Sequence, residues 1–293
     1  EAFIMARFDQ ITTGTQIISI PKLPDYKFPN EPAANYIDTL VYAKHQKVRI
    51  TPSGLCDDST FIRRLYLDVV GQLPEPQAVK SFVDDKSPDK RAKLVDELLN
   101  RPEFVKMWVM KWAELLQIRT DNNRFQYKNA ILYFEWLRSQ FEKNRPMNEI
   151  VQEILGSKGG TFSNPAGNFY QIQRDSKKLM ENTVQIFMGM RIQCAQCHNH
   201  PFDRWTMDDY YSFANFFSQV GRKGSEDNRE IIIYNRGSGS VRHPVGNRDM
   251  PPKFLGGERP DTSGKDRREL LAKWLASDDN PFFAKNLANI VWG

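Results

Sequence analysis

A chain of 293 residues, 40% hydrophobic and 12% aromatic, carries enough apolar side chain for a sizeable core. Its net charge of +5 is mild, and the cations are scattered on helical patterns (KDRREL, DKRAK, FIRRL), which argues against nucleic acid as a partner. Three cysteines exclude a disulfide scaffold, and no stretch approaches the roughly 18 apolar residues of a membrane span.

Residues 1–30 read as an irregular arm or linker, because Pro21, Pro24 and Pro29 break any period. The opening EAFIMARFDQ lacks the basic n-region and long apolar run of a signal peptide, and there is no initiator Met. The expectation is an export signal removed or an upstream part omitted. Pro32, a good first helical residue, opens a helix through ANYIDTLVYAKHQK, on which His45 reads as a surface residue. Cys56, in the polar turn SGLCDD, reads as a free, partly buried thiol. A second helix spans Asp58 to Val70, with Phe61, Ile62, Leu65 and Val69 at helical spacing and Gly71 as its stop.

Ser87-Pro88 opens a further helix carrying Leu94, Val95, Leu98 and Leu99. PEFVKMWVMKWAELLQI sets Trp108, Trp112 and Leu115 on one stripe, and a helix near 128–143 carries Ile131, Phe134, Trp136, Leu137 and Phe141. These stripes read as core, with a cofactor-pocket wall as the lesser alternative. GSKGGTFSNPAGNFY (156–170) is Gly-rich without the Gly-Lys-Ser/Thr of a P-loop, so a structured loop is expected. Lys177 to Arg191 reads as a long buried helix, and Thr206 with Asp209 as a capping box opening MDDYYSFANFFSQV.

From Gly221 to Gly264 the pattern changes. REIIIYNR and SGSVRHPV read as the two strands of a hairpin, and PPKFLGGERP as a loop. Helical patterns return in KDRRELLAKWLAS and FFAKNLANIVWG. The apolar face of the second has nothing after it to cover it, so a chain cut from a longer protein is expected. The whole reads as mostly α, with eight to ten helices, a small β-hairpin insertion near 229–245 and no large sheet. Its expected parts are an arm (1–30), a helical domain (31–263, with an insertion at 221–263) and the start of a truncated C-terminal helical domain (264–293).

The chemistry concentrates in Cys194-Ala195-Gln196-Cys197-His198. C-x-x-C-H is the attachment signature of c-type haem: two thiols add across two vinyl groups, and the adjacent imidazole reaches the iron. Spacing alone leaves rivals. A zinc site could be completed by His198, His200 or His243, and a redox dithiol or disulfide needs only the cysteines. For haem, His198 is the expected proximal ligand. His200 is too close in sequence to reach the opposite face and would hydrogen-bond a propionate or backbone group. His243 is remote enough to fold over the distal side, with Met188, Met190, Met207 and Met250 as thioether alternatives. An iron with no second ligand would point to small-molecule or peroxide chemistry instead. Asp203 and Arg204, between Phe202 and Trp205, would orient His200 or a propionate, or form a surface ion pair. Asp208 and Asp209 are explained by helix capping rather than acid–base chemistry. No G-x-S-x-G, HExxH or paired-carboxylate constellation signals a hydrolase.

The runs DDSTFIRRLYLDVVGQLP, KRAKLVDELLNRPEF, RIQCAQCHNHPFDRWTMDDYYSFANFF and PPKFLGG resemble the planctomycete-type cytochrome-like family of unknown function. Its matching residues here are Cys194, Cys197, His198, His200, Pro201, Phe202 and Trp205, and the ending NPFFAKNLANIVWG is similar to the opening of that family's C-terminal partner domain. The resemblance implies an exported protein, periplasmic or extracellular. It does not supply a reaction. The expectation is therefore an electron-transfer domain with haem c on Cys194 and Cys197, His198 on the iron, and His200, Arg204 and Trp205 around it. Its partner would be a redox protein or the missing C-terminal domain. The alternatives are a structural or interaction module of a cell-surface assembly, closed by zinc or a disulfide, and an accessory domain of an enzyme.

Overall fold

The computed structural model describes every residue except 1, 9–10, 21, 30–31 and 121–124. Among the described residues there are twelve α-helices and a few short antiparallel strand pairs, so the mostly α class holds. The chain forms two compact units, residues 1–68 with 72–93, and 69–71 with 94–293.

In the first unit, β1 (Ala2–Phe8) pairs antiparallel with β2 (Ile11–Ile17), in register from Ala2↔Ile17 to Phe8↔Ile11. The expected irregular arm is thus half hairpin. Its branched, aromatic and threonine-rich sequence favours strand, and Pro24 and Pro29 come only after it. Helix α1 (Tyr36–Val48) starts after Asn35, whose side chain accepts from the N–H of Ile37 and Asp38, and not at Pro32. His45 on α1 is half-buried rather than on the surface.

Helix α2 (Asp58–Val70) stops where expected, at Gly71, whose φ of +68° is left-handed. Phe61 of α2 stacks on Phe82 of α3 (Pro76–Asp84) with ring centroids 6.0 Å apart. Arg91 of α4 (Lys90–Leu99) donates to Asp58 Oδ1 and to the Cys56 carbonyl. It thereby ties down the loop that carries the half-buried Cys56 thiol. Ser87 bonds Asp85 instead of capping, so α4 begins at Lys90 and not at Pro88.

The second unit holds the large core. Helices α5 (Pro102–Leu115) and α6 (Tyr127–Glu142) pack together, and α7 (Met147–Gly156) follows. The Gly-rich segment forms β3 (Gly159–Gly160), a 3₁₀ turn (Pro165–Asn168) and α8 (Phe169–Ile172). Helix α9 (Ser176–Met188) runs through the middle, with Leu179, Met180, Val184 and Phe187 essentially inaccessible. Side chains of this size each contribute about 1.5–3 kcal/mol on burial. Helix α10 (Met207–Ala214) lies against α9.

Strand β5 (Ile231–Asn235) exists as expected, but its partners are β4 (Val220–Gly224) and β3. The segment expected to pair with it instead forms β6 (Arg242–His243), which pairs with β7 (Arg248–Asp249). Asn215 fixes that segment by accepting from the Val241 N–H and donating to its carbonyl. Helix α11 (Arg267–Leu275) packs on α7, and α12 (Phe283–Trp292) on α9. Residues 264–293 lie in the same compact unit as the cysteine motif.

Candidate functional site

The site is built at the end of α9. That helix ends at Met188, three residues before the Arg191 expected from its pattern, because Gly189 takes a left-handed φ of +68°. The chain turns there and enters a 3₁₀ turn, Gln193–Gln196. Ile192 and Ala195 are fully buried and anchor this turn, while Cys194, Cys197 and His198 are exposed. The Cys194 carbonyl accepts from the N–H of both Cys197 and His198. One helical turn thus separates the first cysteine from the second cysteine and the histidine, which sets all three on one face.

His198 Nδ1 lies 2.8 Å from the Asn199 carbonyl. A carbonyl can only accept, so the ring proton is on Nδ1, and Nε2 keeps its lone pair. Fixing a ligating imidazole through its other nitrogen is the usual arrangement at metal centres. Asn199 also uses its side chain, accepting from the Met207 N–H at the start of α10.

His200 is engaged on both ring nitrogens by backbone. The Phe202 N–H donates to Nδ1 (3.1 Å), so Nε2 carries the proton and donates to the Arg191 carbonyl (3.0 Å). Its own N–H donates to the Trp205 carbonyl. His200 is the latch of the HNHPFDRW loop. Trp205 is buried edge-to-face against Phe282, and the Arg204 guanidinium lies over its ring, 4.7 Å from the centroid. Asp203 accepts from the Arg204 N–H; it makes no ion pair with the Arg204 side chain.

A groove of about 440 Å³ opens beside Cys194, bounded by Met190, Arg191, His200, Phe202 and Asp203. Of the four methionines named as alternatives, Met190 alone borders it. Met188 and Met250 are buried in the core, and Met207 packs against it.

His243 is held elsewhere. Its Nδ1 is within hydrogen-bond distance of the N–H and C=O of Val245. Its Nε2 is 3.4 Å from Asp208 Oδ1, close enough for an ion pair but without the alignment of a hydrogen bond. Tyr211 stands in contact with both regions. Its ring meets the His243 ring edge-on at 5.0 Å, and its hydroxyl donates to the Gln196 carbonyl. Burial raises the Tyr211 phenol above its ordinary value, and neighbouring Cys197 adds to the effect.

Below the loop, the Thr206–Asp209 capping box is present as expected. Burial works against the Asp209 carboxylate, but the Lys253 ammonium and the Thr206 N–H and hydroxyl outweigh it and hold the group below the usual carboxylate range. Asp208 is paired with Arg248.

Residues 36–222 match the model of the PSCyt2 family, described as a protein of unknown function (DUF1549). The chain belongs to that family. Nothing among curated proteins or solved structures matches it. The PSCyt2 match ends inside β4 and takes in the whole motif turn, the His200 latch and α10, but not His243. Of the supports of the motif, Asn199 and Tyr211 carry no sequence signal of their own role. Gly189 alone was discoverable, as a glycine ending an apolar helical run.

The donors decide which cofactors the residues fit. Among the described residues, no three His, Cys, Asp or Glu side chains converge on a metal position, so the Cys2His2 zinc set is not assembled. Completing it with His200 would break one of the two backbone bonds of its ring. Covalent haem asks for two reachable thiols and one imidazole lone pair on the same face, and Cys194, Cys197 and His198 meet that requirement.

Proposed function

We propose that this PSCyt2 unit is a c-type-cytochrome-like domain in which Cys194 and Cys197 hold haem by thioether bonds and His198 ligates the iron. The observation that carries the reading is the single turn setting both exposed thiols and the His198 Nε2 lone pair on one face. When bound, the haem supplies one-electron transfer at its iron. Each protein group has a definite part. The Asn199 carbonyl holds the His198 ring in its ligating tautomer, the Tyr211 hydroxyl fixes the turn between the cysteines, and His200 keeps the following loop closed over Arg191. Arg204 and Trp205 form the packed end of that loop, where a cation beside a buried ring suits a propionate edge.

Electron transfer to a redox partner protein follows from this assignment, and so does export. Thioether attachment is made outside the cytoplasmic membrane, so the location is periplasmic or extracellular. Among the described residues no helix is long and apolar enough to cross a membrane.

A second reading is favoured by the same exposure: an interaction module in which Cys194 and Cys197 close as a disulfide across one turn. Colour separates the two. Protein made in a host that matures c-type cytochromes should keep its Soret absorption through acid-acetone extraction. A colourless product with both thiols oxidised would establish the disulfide instead.

A further inference from the structure

Four arginines of the second unit, Arg174, Arg222, Arg236 and Arg267, gather around β4 and the loop after β5, and the nearby Asp266 is engaged with Arg268 instead. Arg222 spends its guanidinium on three carbonyls, those of Tyr170, Gln173 and Arg174. Arg236 donates to the Ser218 carbonyl at 2.7 Å, and Arg267 donates to the Ser218 hydroxyl at 2.9 Å and to the carbonyls of Asn215 and Gly239. Two guanidinium groups therefore meet on one serine. Among the described residues, neither these two nor Arg174 and Arg222 form an ion pair. Carbonyls accept hydrogen bonds but cancel no charge, so the cluster retains its like-charge repulsion. Burial lowers Arg222 to about 10, and the positive charges of Arg174 and Arg236 push the same way.

The loop over the cluster supplies more donors. Gly237, Ser238, Gly239 and Ser240 are exposed, with left-handed φ of +71° at Gly237 and +135° at Gly239. Gly239 lies so close to Ser218 that a Cβ there would run into the Ser218 carbonyl, and this approach lets the Gly239 carbonyl reach Arg267 and the Ser218 hydroxyl. Among the described residues the N–H groups of Ser238, Gly239 and Ser240 have no protein acceptor. On Arg236, Nε and Nη1 are likewise unused, as are Nε and Nη2 on Arg267.

We propose that Arg236 and Arg267, with the backbone of 238–240, form an oxyanion-binding site for a carboxylate, phosphate or sulfate group, within the positive field of Arg174 and Arg222. Fixed guanidinium groups flanked by free backbone N–H are a general solution for such anions. The site shares no residue with the cysteine motif, and it stands or falls separately from the haem assignment.

The test uses the whole chain, titrated at constant ionic strength with inorganic phosphate, sulfate or a hexaglutamate peptide, and follows the backbone amide resonances of Ser238, Gly239 and Ser240. Saturable shifts with phosphate or sulfate would make the source a free anion. Saturable shifts with hexaglutamate alone would make it the acidic face of a protein. Arg236→Gln should weaken whichever binding is seen by about tenfold, since it removes a charged donor. Because Arg267 also holds three backbone and hydroxyl acceptors, Arg267→Gln is informative only if its melting curve matches the parent, and Arg236→Gln decides otherwise. No saturable shift with any of the three probes, or equal affinity in Arg236→Gln, would overturn the proposal.

Discussion

Tyr211 donates its phenolic hydrogen to the Gln196 carbonyl, 2.9 Å away, between the two cysteines of the motif. The same ring rests on His243, so α10 braces the exposed turn through one side chain. Tyr211→Phe keeps the ring contact and removes the bond. It should lower stability by about 0.5–1.5 kcal/mol in urea denaturation. Amide exchange of Cys197 and His198 should quicken as well. Unchanged exchange would show that the turn is held without Tyr211.

The two motif histidines should behave oppositely. His198 is exposed, and His198→Ala should change stability by less than about 0.5 kcal/mol. His200 is buried and bonded on both nitrogens, so His200→Ala leaves the Arg191 carbonyl and the Phe202 N–H without their partner. A loss of about 1–3 kcal/mol is expected from that change. Denaturation of both variants, made without haem, checks the contrast. Equal losses would contradict the latch.

Gly189→Ala should destabilise by about 1 kcal/mol or more, since the position needs a left-handed φ. A Cβ there would also meet the Asn286 side chain, which is engaged with the Ile186 carbonyl on α9. Thermal unfolding measures the loss. A neutral substitution would mean that the exit from α9 is not fixed by this residue.

Asp209 sets part of the acid limb of stability. Its folded value lies below the ordinary 3.8, so its contribution is full above that value and is lost as pH falls toward the folded one. Asp209→Asn should cost about 1 kcal/mol at neutral pH through the broken capping box. The difference from the parent should shrink below pH 4. A difference that stays constant down to pH 2.5 would remove Asp209 from the acid limb.

Much of this was legible in local patterns and the rest was not, for physical reasons. The α2 stop at Gly71 and the Thr206–Asp209 box are encoded within a few neighbouring residues, and each is present. Strand pairing is not local. Ile231–Asn235 reads as a strand from its own residues, but its partnership with β4 and β3 depends on the path of the chain, and Asn215 diverts the apparent partner. The N-terminal hairpin was hidden by prolines that follow it. Sequence distance likewise says nothing of Val245, Asp208 and Tyr211 around His243.

The central claim is that Cys194, Cys197 and His198 form a haem attachment face, and intact mass with metal analysis tests it most directly. Protein produced in a c-type-maturing host should carry one added haem mass and one equivalent of iron. Both should vanish when Cys194 and Cys197 are replaced by Ala, and His198→Ala should keep the mass while shifting the Soret band. Unmodified mass with no iron, or one equivalent of zinc in its place, would contradict the account.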